Sequence, residues 1–191
     1  MLKKEQVIEA ARLLFYKYGF KKVSMDEIAR EAGVTKKTIY SYFSSKDDLL
    51  KYFIQEEILN MKNIVEEIDK KNLDFFDTVS QSICGLLRYR RDKDFLSTIT
   101  KEAEWLKNPV IIDSLKMIDN KIQNYIRRKL EFAKEKGYID YKDLDVTTFL
   151  IYKMYIALII EWNDQNEDLD EQMVAQSISE ILRKGLRKDV E

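Results

Sequence analysis

Apolar residues recur every three to four positions through most of this chain, which is the period of amphipathic helices. In residues 3–18 the apolar stripe includes Val7, Ala11 and Leu14, and Gly19 follows it as a stop signal. The same pattern then predicts two short helices and one long helix, over 25–32, 36–42 and 46–69.

The rest of the chain has the same helical period. Pro109 suits the first turn of a helix, and Gly137 suits its end. Further helices are predicted over 77–90, 94–106, 109–136, 145–164 and 170–188. The expected fold is therefore all-α, with nine helices. We place a three-helix head at residues 1–46 and a six-helix body at residues 47–191.

Composition supports a helical protein with a substantial core. Of the 191 residues 45% are hydrophobic, and the chain has only one proline and five glycines, too few for the many turns of a β-rich fold. No apolar run reaches the roughly 18 residues of a membrane span, and the charged amphipathic N-terminus lacks the apolar centre of a signal peptide. We expect a cytoplasmic protein with no membrane partner.

Charge and side-chain chemistry narrow the function. Residues 1–51 carry 11 Lys and Arg against 7 Asp and Glu, whereas residues 52–191 carry 22 against 27. A basic head on an acidic body suits a nucleic-acid reader. The chain has no histidine, one cysteine and no glycine-rich phosphate loop. We therefore predict that the protein is not an enzyme and has no catalytic residue, metal or cofactor. The alternative is an enzyme that uses pairs of Glu or Tyr side chains for catalysis.

Residues 21–51 have the layout of a helix-turn-helix. Ser24 lies shortly before two acidic residues and can cap the first short helix. Gly33 lies where the chain leaves that helix, a position that requires a positive φ. Thr35 can cap the second helix, with Ile39 and Phe43 on its inward face. Its outward face is rich in lysine, hydroxyl and tyrosine side chains, which suit phosphates and base edges in a major groove.

The run AREAGVTKKTIYSYFSSKDDLL, residues 29–50, resembles the DNA-binding signature of the tetracycline-repressor (TetR) family. The shared elements are an alanine-x3-glycine-valine turn, an aromatic-x-aromatic-Phe ending, and a lysine followed by acids and leucines. The resemblance covers roughly residues 5–51 and implies a DNA-binding regulator. Beyond them the chain agrees with the family in length and helical character.

The expected DNA contacts divide into two groups. Bases or nearby phosphates would be contacted by Lys36, Lys37, Thr38 and Tyr42. The DNA backbone would be held by Ser24, Thr35, Tyr40 and Lys46, with helix N-termini at Ser24 and Ser45 assisting.

The last two long helices carry more apolar surface than one helix contact can bury. Family members resembling this chain pair these helices in a homodimer, which would place two recognition helices about 34–36 Å apart. The alternative is that both stripes are ordinary core. The predicted interface residues are Ile151, Tyr155, Leu158, Ile159, Trp162, Val174, Ser177, Ile178, Ile181, Leu182 and Gly185.

The middle helices are expected to hold an adaptable pocket for a small-molecule effector, because aromatics and methionine make apolar walls. Ordinary core packing is the alternative for each of these residues. The candidates are Phe76, Phe95, Trp105, Met117, Tyr125, Tyr152 and Met154.

The leading hypothesis is a dimeric repressor that binds a palindromic operator in double-stranded DNA and is released by a small lipophilic ligand. The resemblance implies the release mechanism, in which ligand moves the long helix at 46–69. An activator with the same residues is one alternative. A ligand-independent architectural DNA-binding protein is another.

Overall fold

The computed structural model describes residues 2–92, 109–158 and 170–186. These ranges form eight α-helices and contain no strand, which confirms the all-α prediction. The helix predicted over 94–106 lies outside the described residues. The eight helices are α1 Lys3–Tyr18, α2 Met25–Glu31, α3 Lys36–Tyr40, α4 Lys46–Asp69, α5 Phe75–Asp92, α6 Pro109–Glu135, α7 Leu144–Ile156 and α8 Glu171–Leu186.

The chain divides into two compact units, and the division passes through α4 and α6. The first unit contains the chain up to Leu59 and the start of α6 up to Lys116. The second contains Asn60–Asp92 and the residues from Met117 onward. The start of α4 thus belongs to the same unit as α1, α2 and α3, and the domain boundary after residue 46 stays a prediction.

The core of the first unit is built on edge-to-face aromatic contacts. The ring of Phe15 on α1 lies 5.3 Å from that of Phe20 and 5.9 Å from that of Phe53 on α4. Both distances fall in the favourable range for aromatic pairs. The Arg12 guanidinium covers the Phe53 ring and donates to the Glu56 carboxylate at 2.6 Å. These contacts fix α1 against the start of α4.

The turn between α2 and α3 has the hydrogen bonds of a Schellman motif. The Val34 N–H donates to the Ala29 carbonyl at 3.0 Å, and the Gly33 N–H donates to the Arg30 carbonyl at 3.2 Å. Gly33 has φ +64°, and a Cβ built there would meet no atom within 4 Å. A side chain would have ample space here, so crowding does not explain the glycine. Glycine is favoured because the backbone has a positive φ.

The core of the second unit lies between α5, α6 and α8. Its buried residues are Phe76, Leu130, Ala133, Ile139, Ile178, Leu182 and Leu186. The buried Ser179 hydroxyl donates to the Phe76 carbonyl at 3.0 Å and ties α8 to α5. Where α5 meets α4, a Cβ on Gly85 would stand 2.9 Å from the Ile64 side chain, so the close helix approach needs glycine there.

In the described part of the chain, no helix combines the length and the hydropathy that a membrane crossing requires.

Candidate functional site

Reciprocal hydrogen bonds fix the start of α2. The Ser24 hydroxyl accepts from the Glu27 N–H at 3.2 Å, while the Glu27 carboxylate accepts from the hydroxyl and the backbone N–H of Ser24 at 2.7 and 2.8 Å. The bond from the Ser24 hydroxyl, followed by that from its N–H, lowers the pKa of Glu27. The polar groups of Ser24 are thus engaged within the head, and its predicted contact with DNA stays a prediction.

Hydroxyl groups hold the short helix α3 in place. Thr35 accepts from the Thr38 N–H at 3.2 Å, and the two threonine hydroxyls lie 2.9 Å apart. The Ser41 hydroxyl donates to the Thr38 carbonyl at 2.7 Å. A helix of five residues is too short to be stable by itself, so these local bonds and the buried Ile39 define its position.

The two lysines at the start of α3 differ in their surroundings. The Lys36 ammonium donates to the Asp26 carboxylate at 2.7 Å, and this bond raises the pKa of Lys36. The Lys37 side chain is exposed, and its ammonium forms no hydrogen bond or ion pair with any described residue. The Lys37 ammonium is therefore available to a phosphate or a base edge, whereas Lys36 is shared with a carboxylate on α2.

Two tyrosines stand out from the end of α3. Tyr40 is 46% exposed and Tyr42 is 43% exposed, and neither hydroxyl is hydrogen-bonded to a described residue. Ile39 and Phe43, which flank the two tyrosines in the sequence, are buried. The structure therefore brings Lys36, Lys37, Tyr40 and Tyr42 together at the exposed surface of one small helix and its end. Thr38 is exposed beside them.

Lys46, the first residue of α4, faces the loop between α1 and α2. Its ammonium donates to the carbonyls of Phe20 and Val23 at 2.9 and 2.8 Å, with the Lys21 carbonyl at 3.4 Å. It also lies 4.4 Å from the centre of the Phe20 ring. This setting differs from that of Lys37, and the phosphate contact predicted for Lys46 stays a prediction.

Comparisons with known proteins agree with this geometry. The family model of bacterial regulatory proteins, tetR family, matches residues 7–53, which run from α1 into α4. The HTH-type transcriptional regulator YhgD of Bacillus subtilis is 29% identical over 184 residues, which are 96% of each chain. These matches support a regulator of the TetR family. This confirms the sequence prediction, including the prediction that the protein is a transcriptional regulator and not an enzyme.

Similarity to other transcriptional regulators extends beyond the DNA-binding head. FadR of Bacillus subtilis, solved in complex with stearoyl-CoA, superposes with a TM-score of 0.79 at 21% identity, covering 95% of this chain and 98% of FadR. The regulator UidR of Escherichia coli is 25% identical over 154 residues, covering 80% of this chain and 76% of UidR. At such identity FadR shows the fold and not the ligand.

The predicted effector residues have different surroundings. Phe76 belongs to the buried core of the second unit, with Met154 packed against it. Tyr125 donates to Asp69 at 3.3 Å, and the buried Tyr152 donates to Asp119 at 2.5 Å.

Burial is the main reason why the pKa of each tyrosine hydroxyl is raised, and the neighbouring carboxylate raises it further. Met117 is exposed. Phe95 and Trp105 lie outside the described residues. The role of the described candidates as ligand contacts stays a prediction.

The predicted dimer residues on α8 divide between core and surface. Ile178 and Leu182 are 5% and 6% exposed and lie in the core of their own chain, with Val174 packed against that core. Ile178 and Leu182 are thus engaged in the core of their own chain, and their role in an interface stays a prediction. Ser177, Ile181 and Gly185 are exposed.

On α7 the predicted dimer stripe lies towards the interior of the second unit. Ile151 and Leu158 pack against the core, and the Tyr155 hydroxyl lies 4.0 Å from the Met61 sulfur. The predicted positions Ile159 and Trp162 lie outside the described residues.

Ile181, a large apolar side chain of α8 that is 59% exposed, was among the predicted interface residues. Four other exposed apolar side chains were not: Val146, Phe149 and Leu150 on α7 and Met173 on α8. On α7 they were missed because the segment from Val146 to Leu158 is apolar around nearly its whole circumference, so that periodicity cannot select a face.

Among the described residues no three His, Cys, Asp or Glu side chains are grouped so that they could hold a metal ion.

Proposed function

We propose that this regulator is a dimeric repressor that binds a near-palindromic operator through α3 and is released by a small lipophilic effector. The observation that carries the DNA-binding part is the exposed surface of α3, where Lys37 and two tyrosines have polar groups without hydrogen-bond partners among the described residues. Cationic and hydroxyl groups on a helix anchored by buried apolar residues suit the major groove.

We assign different DNA roles to the residues around α3. Lys37 and Tyr42 would contact bases or the phosphates beside them, together with Thr38. Lys36 would join them by exchanging or sharing its Asp26 partner. Tyr40 and Thr35 would hold the DNA backbone, and Ser24 would act mainly by fixing α2. In functional terms we keep residues 1–46 as the DNA-binding domain and 47–191 as the effector and dimer domain.

For dimerisation we propose the exposed apolar surface of α7 and α8, which we name the α7–α8 face. It consists of Val146, Phe149, Leu150, Met173, Ser177, Ile181 and Gly185. On α8 its members recur every four residues, so they form one stripe along the helix. Exposed apolar side chains that recur along one side of a helix are typical of interaction sites. A second copy is the partner we choose, because a palindrome needs two identical heads.

The effector proposal is supported by relatives of the same fold. FadR of Bacillus subtilis was solved with stearoyl-CoA, and SmeT, which superposes with a TM-score of 0.79 at 15% identity, was solved with triclosan. Both ligands carry large apolar parts. We propose a lipophilic effector in the body of this chain. It can release DNA only if it binds the DNA-incompetent conformation more tightly, because equal affinity shifts no population.

Selection of bound sequences from a random DNA pool by the purified protein, at fixed salt, tests this proposal. We expect a palindrome whose half-sites lie one helical turn apart or a small multiple of it. Recovery of no motif would contradict sequence-specific binding and favour the architectural alternative. An activator would select the same DNA, so a transcription assay with the recovered operator in front of a reporter distinguishes activation from repression.

Tyr42→Ala is expected to weaken binding to the selected operator by roughly fivefold to a hundredfold, the cost of about 1–3 kcal/mol for a lost specific contact. The exposed tyrosine contributes little to the head's packing, so circular dichroism and dimer mass should not change. The measurement is a titration of labelled operator at fixed salt. Tyr16→Ala, which truncates an exposed tyrosine on α1, is the matched control. Equal affinities of the two variants would remove Tyr42 from the interface.

A further inference from the structure

The loop between α1 and α2 accepts hydrogen bonds from a charged residue at the start of another helix. The Lys46 ammonium has its three donors within reach of three carbonyls of this loop, those of Phe20, Lys21 and Val23. The Phe20 ring lies 4.4 Å beneath the ammonium. Hydrogen bonds from a charged donor are roughly twice as strong as neutral ones. The Lys46 ammonium is thus engaged by carbonyls and by an aromatic ring of the head.

The position of this contact gives it mechanical consequences. Val23 immediately precedes Ser24, the residue that caps α2, and Phe20 and Val23 are themselves buried in the head. On the other side, Ser45 caps α4 by accepting from the Asp48 N–H at 3.0 Å. Lys46 therefore connects the first turn of α4 to the residue before the N-cap of α2, across 23 residues of sequence.

The apolar contacts of α4 within the first unit leave the start of this helix little freedom to move by itself. Leu49, Leu50 and Phe53 are fully buried, so a shift of the start of α4 must carry its packing partners or break contacts with them. Because close-packed elements move in discrete steps and not continuously, a shift would be passed on to the loop at residues 20–23. The loop would pass it on to α2, and thereby to α3.

We infer that Lys46 is a positioning residue that couples the start of α4 to the orientation of the helix-turn-helix, and that it does not bind a DNA phosphate. The inference rests on the proposed function, since it supplies the link by which movement of α4 would alter DNA binding. It also makes the distinction between Lys46 and Lys37 measurable: Lys37 has an available charge, whereas the charge of Lys46 is used inside the protein.

The first test needs no DNA. Lys46→Met keeps the length and apolar character of the stem but removes the ammonium. Hydrogen exchange followed by mass spectrometry is expected to show faster exchange in peptides covering residues 19–28 than in the wild type. The matched control is Lys51→Met, which removes an exposed lysine of the same helix that lies only at the edge of ion-pair distance, 4.0 Å, from Asp48. Unchanged exchange in Lys46→Met would overturn the inference.

The second test measures affinity for the selected operator over a series of salt concentrations. For Lys46→Met we expect about tenfold weaker binding, from loss of charge-assisted hydrogen bonds that hold the head, with the slope of log affinity against log salt unchanged. A phosphate contact would instead lower that slope by about 0.9 and weaken all DNA sequences together. Either a lowered slope or unchanged affinity would overturn the inference.

Lys46→Arg gives a check that is independent of folding defects in the methionine variant. Arginine keeps the charge and suits phosphates, but its planar fork does not match three carbonyls that converge on one ammonium. We expect Lys46→Arg to bind the operator more weakly than the wild type; full affinity would overturn the inference. If the wild type selects no DNA motif, the proposed function fails, whereas weaker exchange protection in Lys46→Met would still establish the loop contact.

Discussion

Ile181→Glu is expected to convert the proposed dimer to monomers and to abolish binding of a palindromic operator. Ile181 is 59% exposed in the chain and lies in the middle of the α8 stripe of the α7–α8 face. In a two-fold interface the substitution places two carboxylates against apolar surface. Burying each carboxylate without a partner of opposite charge costs several kcal/mol. We therefore expect the dimer to dissociate more readily by a factor of more than about a hundred, or roughly 3 kcal/mol.

Sedimentation equilibrium at micromolar concentrations measures this effect, with operator titrations on the same samples. Gln176→Glu is the matched control, because it adds the same charge at an exposed position of α8 outside the apolar stripe. Ile181→Glu should halve the mass, and Gln176→Glu should not. A wild-type monomer, or a dimer that survives Ile181→Glu, would show that the α7–α8 face is not the interface.

Ile39→Ala is expected to destabilise the head by about 2–5 kcal/mol, the usual cost of truncating a fully buried isoleucine, and to remove operator binding. Ile39 is 0% exposed and is the buried residue of α3. With only five residues, α3 cannot remain helical without this tertiary contact. The loss of binding should therefore exceed that of any single surface substitution on α3.

Urea unfolding followed by circular dichroism gives the stability change, and operator titration gives the functional loss. Leu13→Ala removes a similar aliphatic side chain from an exposed position of α1 and is the control, expected to change stability by less than about 0.5 kcal/mol. If Ile39→Ala were as stable as Leu13→Ala and bound the operator normally, α3 would not depend on its buried contact.

The sequence by itself determined the helices of the head and the turn between α2 and α3, because these are set by local chemistry. A serine followed three residues later by Glu27 marks the start of α2, and the positive φ of Gly33 and Gly137 follows from the helix ends they occupy. The alternation of buried Ile39 and Phe43 with exposed Tyr40 and Tyr42 was likewise readable from helical spacing. Each of these features depends on residues within a few positions of one another.

The tertiary structure alone decided which polar and apolar groups remain available. Lys36 and Lys37 are equivalent in sequence, but ten residues away Asp26 engages one of them. Lys46 is used by carbonyls more than twenty residues earlier in the chain. The segment from Val146 to Leu158 is apolar on nearly all sides, so its sequence did not indicate which side of α7 is exposed. Pairing and burial join residues distant along the chain, and no local pattern specifies which partners meet.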